Sequence, residues 1–483
     1  MRRIKVLFIV RSIAATSCQL VSSFPQLTSW QLVAAMFLAL AVQEATCCAD
    51  EPNKKRPNIV FLLADDLRWN ALGCAGDKLA GTPNLDALAK RGVLFRNHFV
   101  TTSICAVSRA SIFSGQYARR HKINDFVTDF TPDAYQRTYP MLLKLAGYRV
   151  GFIGKFGVGT KMPEKSFDYW RGFPGQGSYF GKDETVHLTN RMGDQALEFL
   201  QGCDKTKPFC LSLSFKAPHA MDAAKREYPP DPRDEELFKD VTFPVPKTAD
   251  PKYFLALPEF VQKSEGRTRW QRRFATPQMH QTILRDYYRL VTGMDREIGR
   301  ILAELQRLGL AGDTVVIFTS DNGYFFGEHG LADKWFMYEE SIRVPLIVFD
   351  PALPKEQRNR AVNAMTLNID MAPTMLGYAR VAIPKTVQGH SIGPWLRGEL
   401  PPWRKDWFYE HHTATKIIPP SEGVRTTRWT YLRWLEDMNN PIEELYDLQA
   451  DPQQERNLVA QPPHQETLRE LRARWQQLRK DLE

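Results

Sequence analysis

The sequence predicts an α/β protein in which a mostly parallel, doubly wound sheet is flanked by helices and followed by a smaller C-terminal α+β subdomain. Two observations predict the larger part: short apolar runs recur along the chain, and amphipathic helical patterns separate them. A third observation predicts the smaller part. After about residue 380 the segments become short and alternating, as in an antiparallel sheet.

Five apolar runs are the predicted strands of the main sheet. Each is apolar on both faces, as strands are when helices cover both sides of a parallel sheet. The runs are 58–64, 149–154, 209–215, 314–319 and 344–349. Helical patterns lie at 84–91, 139–146, 190–201 and 281–308. A proline- and charge-rich stretch at 228–273 breaks the alternation, and we expect a surface excursion that shapes an active-site rim.

These patterns predict two domains, an N-terminal α/β domain over 55–380 and a C-terminal antiparallel-sheet subdomain over 381–483. The predicted strands of the subdomain are 407–409, 423–427, 430–435 and 444–448, and its terminal helix is 464–480.

Residues 1–49 have the character of a signal peptide. Basic residues open the chain, residues 30–42 form an apolar run, and small residues precede a polar stretch. The run is too short to cross a bilayer comfortably. The segment before the run is unusually long, so an uncleaved anchor and a misplaced start codon are the alternatives. Export is favoured, and we expect a periplasmic or secreted protein with no stable membrane insertion after the signal is removed.

Composition indicates a soluble globular protein, since 43% of the residues are hydrophobic and the charged residues are evenly spread. The net charge of +9 suits an acidic substrate, but it equally suits an ordinary soluble surface. No basic run is interleaved with aromatic residues, so no nucleic-acid partner is expected. Cys203 and Cys210 could form a disulfide or remain two small apolar side chains, and the sequence leaves both readings open.

Acidic and amide side chains follow two of the predicted strands. Asp65 and Asp66 come directly after the first strand, and Asp321 and Asn322 follow the fourth. Ligands bind beyond the carboxyl ends of strands in such sheets, and oxygen donors suit Ca²⁺ or Mg²⁺. Either pair alone could be ordinary turn chemistry. The two pairs together favour a metal site.

Three further polar residues lie after predicted strands and are candidates for the same site. Lys155 follows the second strand, His219 follows the third, and Lys334 lies downstream of the fourth. Each could also be a surface lysine or a packed histidine. Their shared position after strands makes that alternative less favoured.

Cys105 is the candidate nucleophile. It opens a helical pattern that runs to about Gly115, so the helix dipole favours negative charge there. Arg109 lies four residues later, on the same helical face. A buried structural cysteine is the alternative, and the Cys-x-x-x-Arg spacing alone would not exclude it.

Together these motifs resemble the formylglycine-dependent sulfatases of the alkaline-phosphatase superfamily, over nearly the whole chain after Lys54. The motifs, in order, are the Asp65-Asp66 pair, CAVSRAS at 105–111 with SGQ at 114–116, GK at 154–155, KAPH at 216–219, SDNG at 320–323 and EHG at 328–330. The stretch 333–341 resembles the branch of N-acetylglucosamine-6-sulfatases and other glycan sulfatases. The fold expected from this resemblance is alkaline-phosphatase-like, with the catalytic residues in the 55–380 domain.

The resemblance implies that a formylglycine-generating maturation enzyme oxidises Cys105 to formylglycine, whose hydrate is a geminal diol. One hydroxyl would attack sulfur and displace the alcohol. Loss of a proton from the second hydroxyl would then expel sulfate, so that water need not attack sulfur again.

The resemblance also implies roles for the other candidates. One divalent metal, expected to be Ca²⁺, would be bound by Asp65, Asp66, Asp321 and Asn322. Arg109 would hold the diol, and Lys155 and Lys334 would bind the sulfate oxygens. His219 would lie near the bridging oxygen, where it would donate a hydrogen bond or protonate the leaving group.

Two positions depart from the family pattern. Val107 stands where the modification signal usually has proline, and Gly157 stands where a histidine usually follows the strand-exit lysine. That histidine is thought to assist the second hydroxyl. Its possible substitutes are His98, His121, His187 and His329, for which structural roles are favoured.

Two other functions compete with the sulfatase interpretation. The same scaffold serves phosphodiesterases and phosphonate monoester hydrolases, and the departures at Val107 and Gly157 would suit a non-catalytic binder of sulfated glycans. The branch resemblance and the expected export favour an enzyme whose substrate is a sulfated carbohydrate.

Overall fold

The computed structural model describes residues 55–181, 185–222, 224–437 and 440–483. Residues 56–483 form one compact unit. The predicted signal segment, 1–49, lies outside the described residues. Among the helices that the structure describes, none combines the length and the apolar character needed to cross a bilayer.

Strands alternate with helices through most of the chain. The strands are β1 (Asn58–Asp65), β2 (Val93–Phe99), β3 (Arg149–Lys155), β4 (Tyr169–Phe173), β5 (Phe209–Pro218), β6 (Thr314–Ser320), β7 (Phe325–Phe326), β8 (Ala332–Asp333), β9 (Arg343–Phe349), β10 (Arg360–Leu367), β11 (Asp406–His411), β12 (Ser421–Thr426), β13 (Trp429–Trp434) and β14 (Glu443–Asp447). All five predicted strands of the main sheet are present.

The α-helices occupy the segments between these strands. They are α1 (Pro83–Arg91), α2 (Cys105–Ser114), α3 (Ala118–His121), α4 (Pro132–Gln136), α5 (Tyr139–Leu145), α6 (Leu188–Gln201), α7 (Pro251–Leu255), α8 (Glu259–Gln262), α9 (Glu265–Arg273), α10 (Pro277–Arg307), α11 (Glu339–Ile342), α12 (Met371–Tyr378), α13 (Gly393–Leu396) and α14 (Gln465–Asp481). The stretch 228–273 contains α7, α8 and α9, and the structure assigns it no strand.

The large sheet has the strand order β10-β2-β9-β6-β1-β5-β3-β4. The run from β6 to β4 is parallel throughout, as is the β10–β2 pair. The predicted α/β fold with a mostly parallel sheet is confirmed. The interpretation of residues 344–349 as a parallel strand is wrong, because β9 runs antiparallel to both β2 and β6. It is apolar because both of its faces are covered, and that burial does not depend on strand direction.

Three strands of the sheet, β2, β4 and β10, were not predicted. Each carries polar or partly exposed residues, so none reads as a continuous apolar run. Strands β4 and β10 form the two edges of the sheet, where one side lacks a neighbouring strand. Edge positions need less apolar sequence than central ones.

Side chains of β1 alternate between two core layers, because successive residues of a strand point to opposite faces. Val60 and Leu62 pack in the layer that contains residues of α6 and α10. Ile59 and Phe61 pack in the layer that contains residues of α2, α5 and α12. The sheet is therefore covered on both faces, which explains its apolar central strands.

The C-terminal part forms the predicted antiparallel sheet, in the order β11-β12-β13-β14. Helix α14 supplies Leu468, Leu471 and Trp475 to an apolar cluster shared with this sheet. The same cluster includes Phe99 from β2 and Tyr338 before α11, so the sheet packs on the larger part of the fold. The boundary between residues 380 and 381 remains a prediction.

Candidate metal and catalytic site

Four neighbouring strands bring the predicted residues to one edge of the sheet. Strands β3, β5, β1 and β6 are consecutive and parallel, so their carboxyl ends meet. Asp65 ends β1, Lys155 ends β3, His219 follows β5, and Asp321 and Asn322 follow β6. All five side chains are buried. The expected convergence at the strand ends is therefore observed.

Cys105 is the first residue of α2, and it is fully buried. The preceding residue, Ile104, is extended, with φ of −158°, so the chain enters the helix at Cys105. The thiol donates a hydrogen bond to Asp65 Oδ1, with an Sγ–O distance of 3.3 Å. The predicted position at a helix N-terminus is correct.

Arg109 connects three strand ends through one guanidinium group. Its Nε donates to Asp321 Oδ2 at 2.8 Å, and its Nη1 donates to the Lys155 carbonyl oxygen at 2.6 Å. Nη1 also donates to Ser214 Oγ, and Nη2 lies 3.2 Å from Asp65 Oδ2. The planar, multidentate donor set of arginine suits this arrangement, and a lysine could not reproduce it.

Asp66 occupies a turn after β1 with φ of 67°, a conformation that residues other than glycine rarely adopt. Its backbone N–H donates to Asp321 Oδ1 at 3.3 Å, and its carbonyl accepts from the Tyr287 hydroxyl at 2.7 Å. The carboxylate accepts two contacts from Lys334 Nζ, at 2.5 and 2.7 Å, and one from Asn322 Nδ2. These contacts hold the turn in place.

His219 lies beside Asp66, with its Nε2 3.7 Å from Asp66 Oδ2. Its Nδ1 donates to the Ala220 carbonyl oxygen at 2.6 Å, which orients the ring. Burial, together with the positive charge of Lys334, lowers the pKa of His219 well below its usual value. The imidazole is therefore neutral, with Nε2 as the nitrogen that faces the carboxylate.

The acidic groups respond differently to burial. Burial alone would raise the pKa of Asp65, but the Lys155 ammonium, 2.6 Å away, and other nearby cations hold that pKa well below its usual range. Burial raises the pKa of Asp66 to about 7, although Lys334 opposes this shift. Burial also raises the pKa of the Cys105 thiol, and Asp65 adds to the effect. An unmodified Cys105 is thus a neutral thiol and not a thiolate nucleophile.

The donor atoms at this edge fit a hard divalent cation. Ligand atoms of Asp65, Asp66, Cys105 and His219 all lie within 4.8 Å of one another. Asn322 Oδ1 is buried and has no hydrogen-bond partner among the described residues. A buried acceptor without a donor is costly unless something positive approaches it. Two adjacent carboxylates and this amide oxygen offer the donors that Ca²⁺ or Mg²⁺ prefers.

Two family models match the chain. The model described as sulfatase matches residues 57–381, and the model described as the C-terminal part of N-sulphoglucosamine sulphohydrolase matches residues 327–481. A relative from Bacteroides thetaiotaomicron, N-acetylglucosamine-6-O-sulfatase, is 30% identical and covers 90% of this chain and 89% of its own length.

The chain belongs to the sulfatase family.

Two solved structures place this sulfatase among its neighbours. One is the structure of a protein in complex with its substrate, D-glucosamine-2-N,6-O-disulfate. Its TM-score is 0.76 and its sequence identity 28%, and the match covers 89% of this chain and 98% of the other. The other is a phosphonate monoester hydrolase from Silicibacter pomeroyi, with a TM-score of 0.75 and 22% identity over 88% of this chain and 96% of the other. The second likeness shows a shared fold only.

The prediction of a sulfuric ester hydrolase of the sulfatase family is confirmed. Sulfatases are generally metal-dependent, in keeping with the acidic cluster of this one. The individual roles of Cys105, Arg109, Lys155, His219 and Lys334 remain predictions, as do those of the proposed metal ligands.

One residue that contacts the candidate site, Gln176, was not predicted from the sequence. Gln176 Oε1 accepts a hydrogen bond from Lys155 Nζ at 2.6 Å. Gln176 follows β4, so a prediction of that strand would have placed it at the same sheet edge as the other candidate residues. Strand β4 is short and partly exposed, so no apolar run marked it.

The rim of the site uses the predicted excursion. Helix α9 supplies Arg273, which is fully buried and contacts Asp333 Oδ2 at 2.6 Å. Arg269 of the same helix contacts that oxygen at 2.7 Å. Asp333 precedes Lys334 and has φ of 74°. The excursion thus contacts the turn that carries Lys334. Its role as an active-site rim remains a prediction.

The histidines considered as substitutes at Gly157 have structural contacts elsewhere. His98 Nδ1 contacts Thr366 Oγ1, and His121 Nε2 contacts Ser111 Oγ. His187 accepts from the backbone N–H of Thr189 at the start of α6, and the centroid of the His329 ring lies 4.6 Å from that of Tyr338. Structural roles were favoured for these four residues, and the contacts agree.

Cys203 and Cys210 are both free thiols in the structure. Cys210 lies inside β5, whereas Cys203 follows α6, and its Sγ contacts the carbonyl oxygen of Phe199 in that helix. They are therefore two separate side chains in this structure.

Proposed function

We propose that this sulfatase removes a sulfate ester group from a sulfated carbohydrate, with a nucleophile derived from Cys105. The observation that carries the proposal is the placement of Cys105 at the buried start of α2. Its Sγ lies 3.3 Å from Asp65 Oδ1, and Asp65 Oδ2 accepts from Lys155. The candidate nucleophile therefore lies next to Asp65, a proposed metal ligand, and Asp65 lies next to the Lys155 ammonium, which we propose binds sulfate oxygens.

A 6-O-sulfated hexosamine is the substrate class that we infer. Support comes from the N-acetylglucosamine-6-O-sulfatase relative, which aligns over nine-tenths of this chain. The neighbouring structure with D-glucosamine-2-N,6-O-disulfate as its substrate also supports it. We infer that residues 1–49 direct export, which would place the enzyme where extracellular polysaccharide is available.

We infer that Asp65, Asp66, Asp321 and Asn322 hold one divalent metal ion, Ca²⁺ by preference for oxygen donors. The unpartnered Asn322 Oδ1 and the two adjacent carboxylates support this assignment. When bound, such an ion supplies Lewis-acid polarisation of a sulfate oxygen.

Formylglycine at position 105, made by a maturation enzyme, would supply through its hydrate one hydroxyl for attack on sulfur and a second for release of sulfate. Val107, in the place where proline is usual, is fully buried in the first turn of α2. The first turn of a helix tolerates either residue, so the folded site accommodates valine.

The surrounding residues position the reacting groups. Arg109 contacts Asp321 and Asp65, and Asp65 in turn accepts from the Cys105 thiol. Lys155 and Lys334 place two ammonium groups at the same strand edge, where they would bind sulfate oxygens as negative charge develops. The Nδ1 of His219 donates to a carbonyl, so Nε2 of the neutral ring carries no proton and accepts. The ring would have to take up a proton at Nε2 before it protonates the leaving oxygen.

Kinetic comparison of three esters tests the function. We expect kcat/KM for N-acetylglucosamine 6-sulfate to exceed the values for the corresponding phosphate and for a phosphonate monoester by about 100-fold. The reason is that the metal and the cations of the site stabilise the transition state of one kind of anion better than that of another. A preference for the phosphonate ester would replace this proposal with a phosphonate hydrolase.

Calorimetric titration with Ca²⁺ tests the metal assignment. Asn322→Ala removes the unpartnered oxygen and is expected to weaken Ca²⁺ binding by about tenfold, as loss of one ligand does. Asn58→Ala is the matched control. Asn58 is also buried and lies on β1, but it is at the other end of that strand and contacts Thr314. Equal Ca²⁺ affinity in both variants would contradict the ligand set.

A further inference from the structure

The loop after β4 reaches the same sheet edge as the predicted site. Strand β4 pairs in parallel with β3, and Phe173 is the register partner of Lys155. The chain therefore leaves β4 directly beside Lys155. Gly175 and Gly177 have φ of 62° and 65°, so the residue between them, Gln176, sits in a tight turn that only glycines at those positions allow easily.

Gln176 shares the Lys155 ammonium with Asp65. Lys155 Nζ donates to Asp65 Oδ2 and to Gln176 Oε1, each at 2.6 Å, and its side chain is fully buried. An ammonium has three N–H donors. Two are satisfied by these contacts, so one donor of Lys155 is left for a ligand.

The amide of Gln176 also has unused donors. Because Oε1 accepts from Lys155, Nε2 lies on the other branch of the same planar group and carries two N–H bonds. Within the described parts of the chain, Nε2 makes no hydrogen bond. Gln176 is only partly buried, so it borders the solvent side of the site.

Gly157 leaves the neighbouring position without a side chain. A Cβ built there would lie 2.6 Å from Arg109 Cδ and 3.6 Å from Lys155 Cε, and φ is 73°. The backbone at this point therefore approaches Arg109 too closely for a side chain. Gln176 reaches the end of Lys155 from the loop after β4.

We propose that Gln176 is a sulfate-binding residue of this enzyme. Its Oε1 holds the Lys155 ammonium towards the site, and its Nε2 donates to an oxygen of the bound sulfate ester group. The inference rests on the proposed function and adds a residue that neither the family motifs nor the predicted strands indicated.

Two substitutions of similar length separate the two halves of this role. Gln176→Met removes both the acceptor and the donors. Gln176→Glu keeps an acceptor for Lys155 but replaces the donors with a negative charge. If Gln176 only held Lys155, glutamate, which still accepts from the ammonium, would be no worse than methionine. If it also donates to sulfate, glutamate is worse than methionine.

The experiment uses the full chain with converted residue 105. KM and kcat are measured with N-acetylglucosamine 6-sulfate, and the dissociation constant of inorganic sulfate is measured by calorimetry. We expect Gln176→Met to raise KM and the sulfate dissociation constant about tenfold, with a smaller change in kcat, and Gln176→Glu to raise both about 100-fold. The control is Ser178→Ala, which removes a contact to Phe180 in the same loop and should stay within about twofold.

Two results would overturn the inference: Gln176→Met within about twofold of wild type in both measurements, or wild-type values for Gln176→Glu. Failure of the proposed function looks different. Sulfate binding that depends on Gln176, without hydrolysis of any sulfate ester, would reject the function and keep the inference.

Discussion

Arg109 Nε donates to Asp321 Oδ2 at 2.8 Å, and both side chains are almost completely shielded from solvent. The pair joins the helix that begins at Cys105 to the end of β6. The same guanidinium also contacts the Lys155 carbonyl oxygen and the Asp65 carboxylate. A single side chain therefore joins the candidate nucleophile's helix, two of the proposed metal ligands and the lysine that we propose binds sulfate.

Arg109→Lys keeps the positive charge but loses the multidentate geometry. We expect the free energy of unfolding to fall by about 2 kcal/mol, because hydrogen bonds to buried charged groups are lost. We expect kcat to fall by about 100-fold as residue 105 loses its support. Urea unfolding and steady-state kinetics measure these changes.

Arg397→Lys is the control for that substitution. Arg397 pairs with Glu399 on the surface, where both side chains are more than half exposed. Exposed pairs contribute little, so stability should change by less than about 0.5 kcal/mol. A similar loss in both variants would mean that the buried network at Arg109 has no special importance.

Gly157→His restores the residue usual in the family, yet we expect it to lower kcat/KM by at least about tenfold. The new Cβ would meet Arg109 Cδ at 2.6 Å and would also adopt an unfavourable φ of 73°. Activity assays and thermal unfolding of Gly157→Ala and Gly157→His measure the effect.

Gly309→Ala separates backbone strain from the clash at Gly157. Gly309 has a similar φ, 69°, but a Cβ there would meet nothing within 4 Å. It should therefore lose only about 1 kcal/mol from its backbone conformation. A gain of activity in Gly157→His would show that the site can accept the family histidine.

Arg273→Met tests the rim that holds Lys334. Arg273 is fully buried and pairs with Asp333, Asp222 and Glu227. Arg269 still contacts Asp333 and Asp222 in this variant, but each of the three carboxylates loses a buried cation. This loss should cost about 3 kcal/mol of unfolding free energy and should lower kcat/KM, because Asp333 adjoins Lys334. Chemical denaturation and kinetics provide the measurement.

The neighbouring Arg272→Met variant is the matched control. Arg272 is 40% exposed and lies 4.0 Å from Glu227, so its loss should cost less than about 0.5 kcal/mol. Full activity in Arg273→Met would show that the contacts of Arg273 are not needed to position Lys334.

His98 should make stability depend on pH. Burial, with a further contribution from Arg404, lowers the pKa of His98 to about 3 in the folded protein, against 6.5 for an ordinary histidine. The unfolded chain therefore binds a proton below pH 6.5 that the folded protein does not bind. Stability is lost as pH falls from 6.5 towards 3, by about 2 kcal/mol at pH 5.

The pH dependence can be assigned to His98 by comparison with His98→Gln. As pH falls from 7 to 5, the unfolding free energy of the variant should fall less steeply than that of the wild type. The difference between the two slopes should approach that expected for about one proton taken up on unfolding. The measurement at pH 8 gives the packing cost of the substitution separately. Parallel slopes in the two proteins would contradict the lowered pKa.

The central strands and their ends could be predicted because burial on both faces leaves a continuous apolar run, as in β1 and β6. Asp65, Asp66, Asp321 and Asn322 then follow from chain order and from the parallel sheet. Cys105 could be placed at a helix start from its local pattern. These features depend on nearby residues, which the sequence displays directly.

Edge strands and long-range pairs could not be predicted in the same way. Strand β4 lacks an apolar signal because it lies at a sheet edge, so Gln176 was missed. The contact of Arg273 with Asp333 joins residues that are 60 positions apart, and no local pattern marks it. The antiparallel direction of β9 was likewise invisible, since burial is the same in either direction.

The most direct test of the account measures residue 105 and activity in one preparation. Peptide mass spectrometry of the segment around Cys105, from protein made in its native host, gives the fraction converted to formylglycine, and sulfate release from N-acetylglucosamine 6-sulfate gives the rate. The account predicts conversion, a rate proportional to the converted fraction, and loss of activity in Cys105→Ala. An unmodified thiol in an active enzyme, or full activity in Cys105→Ala, would contradict it.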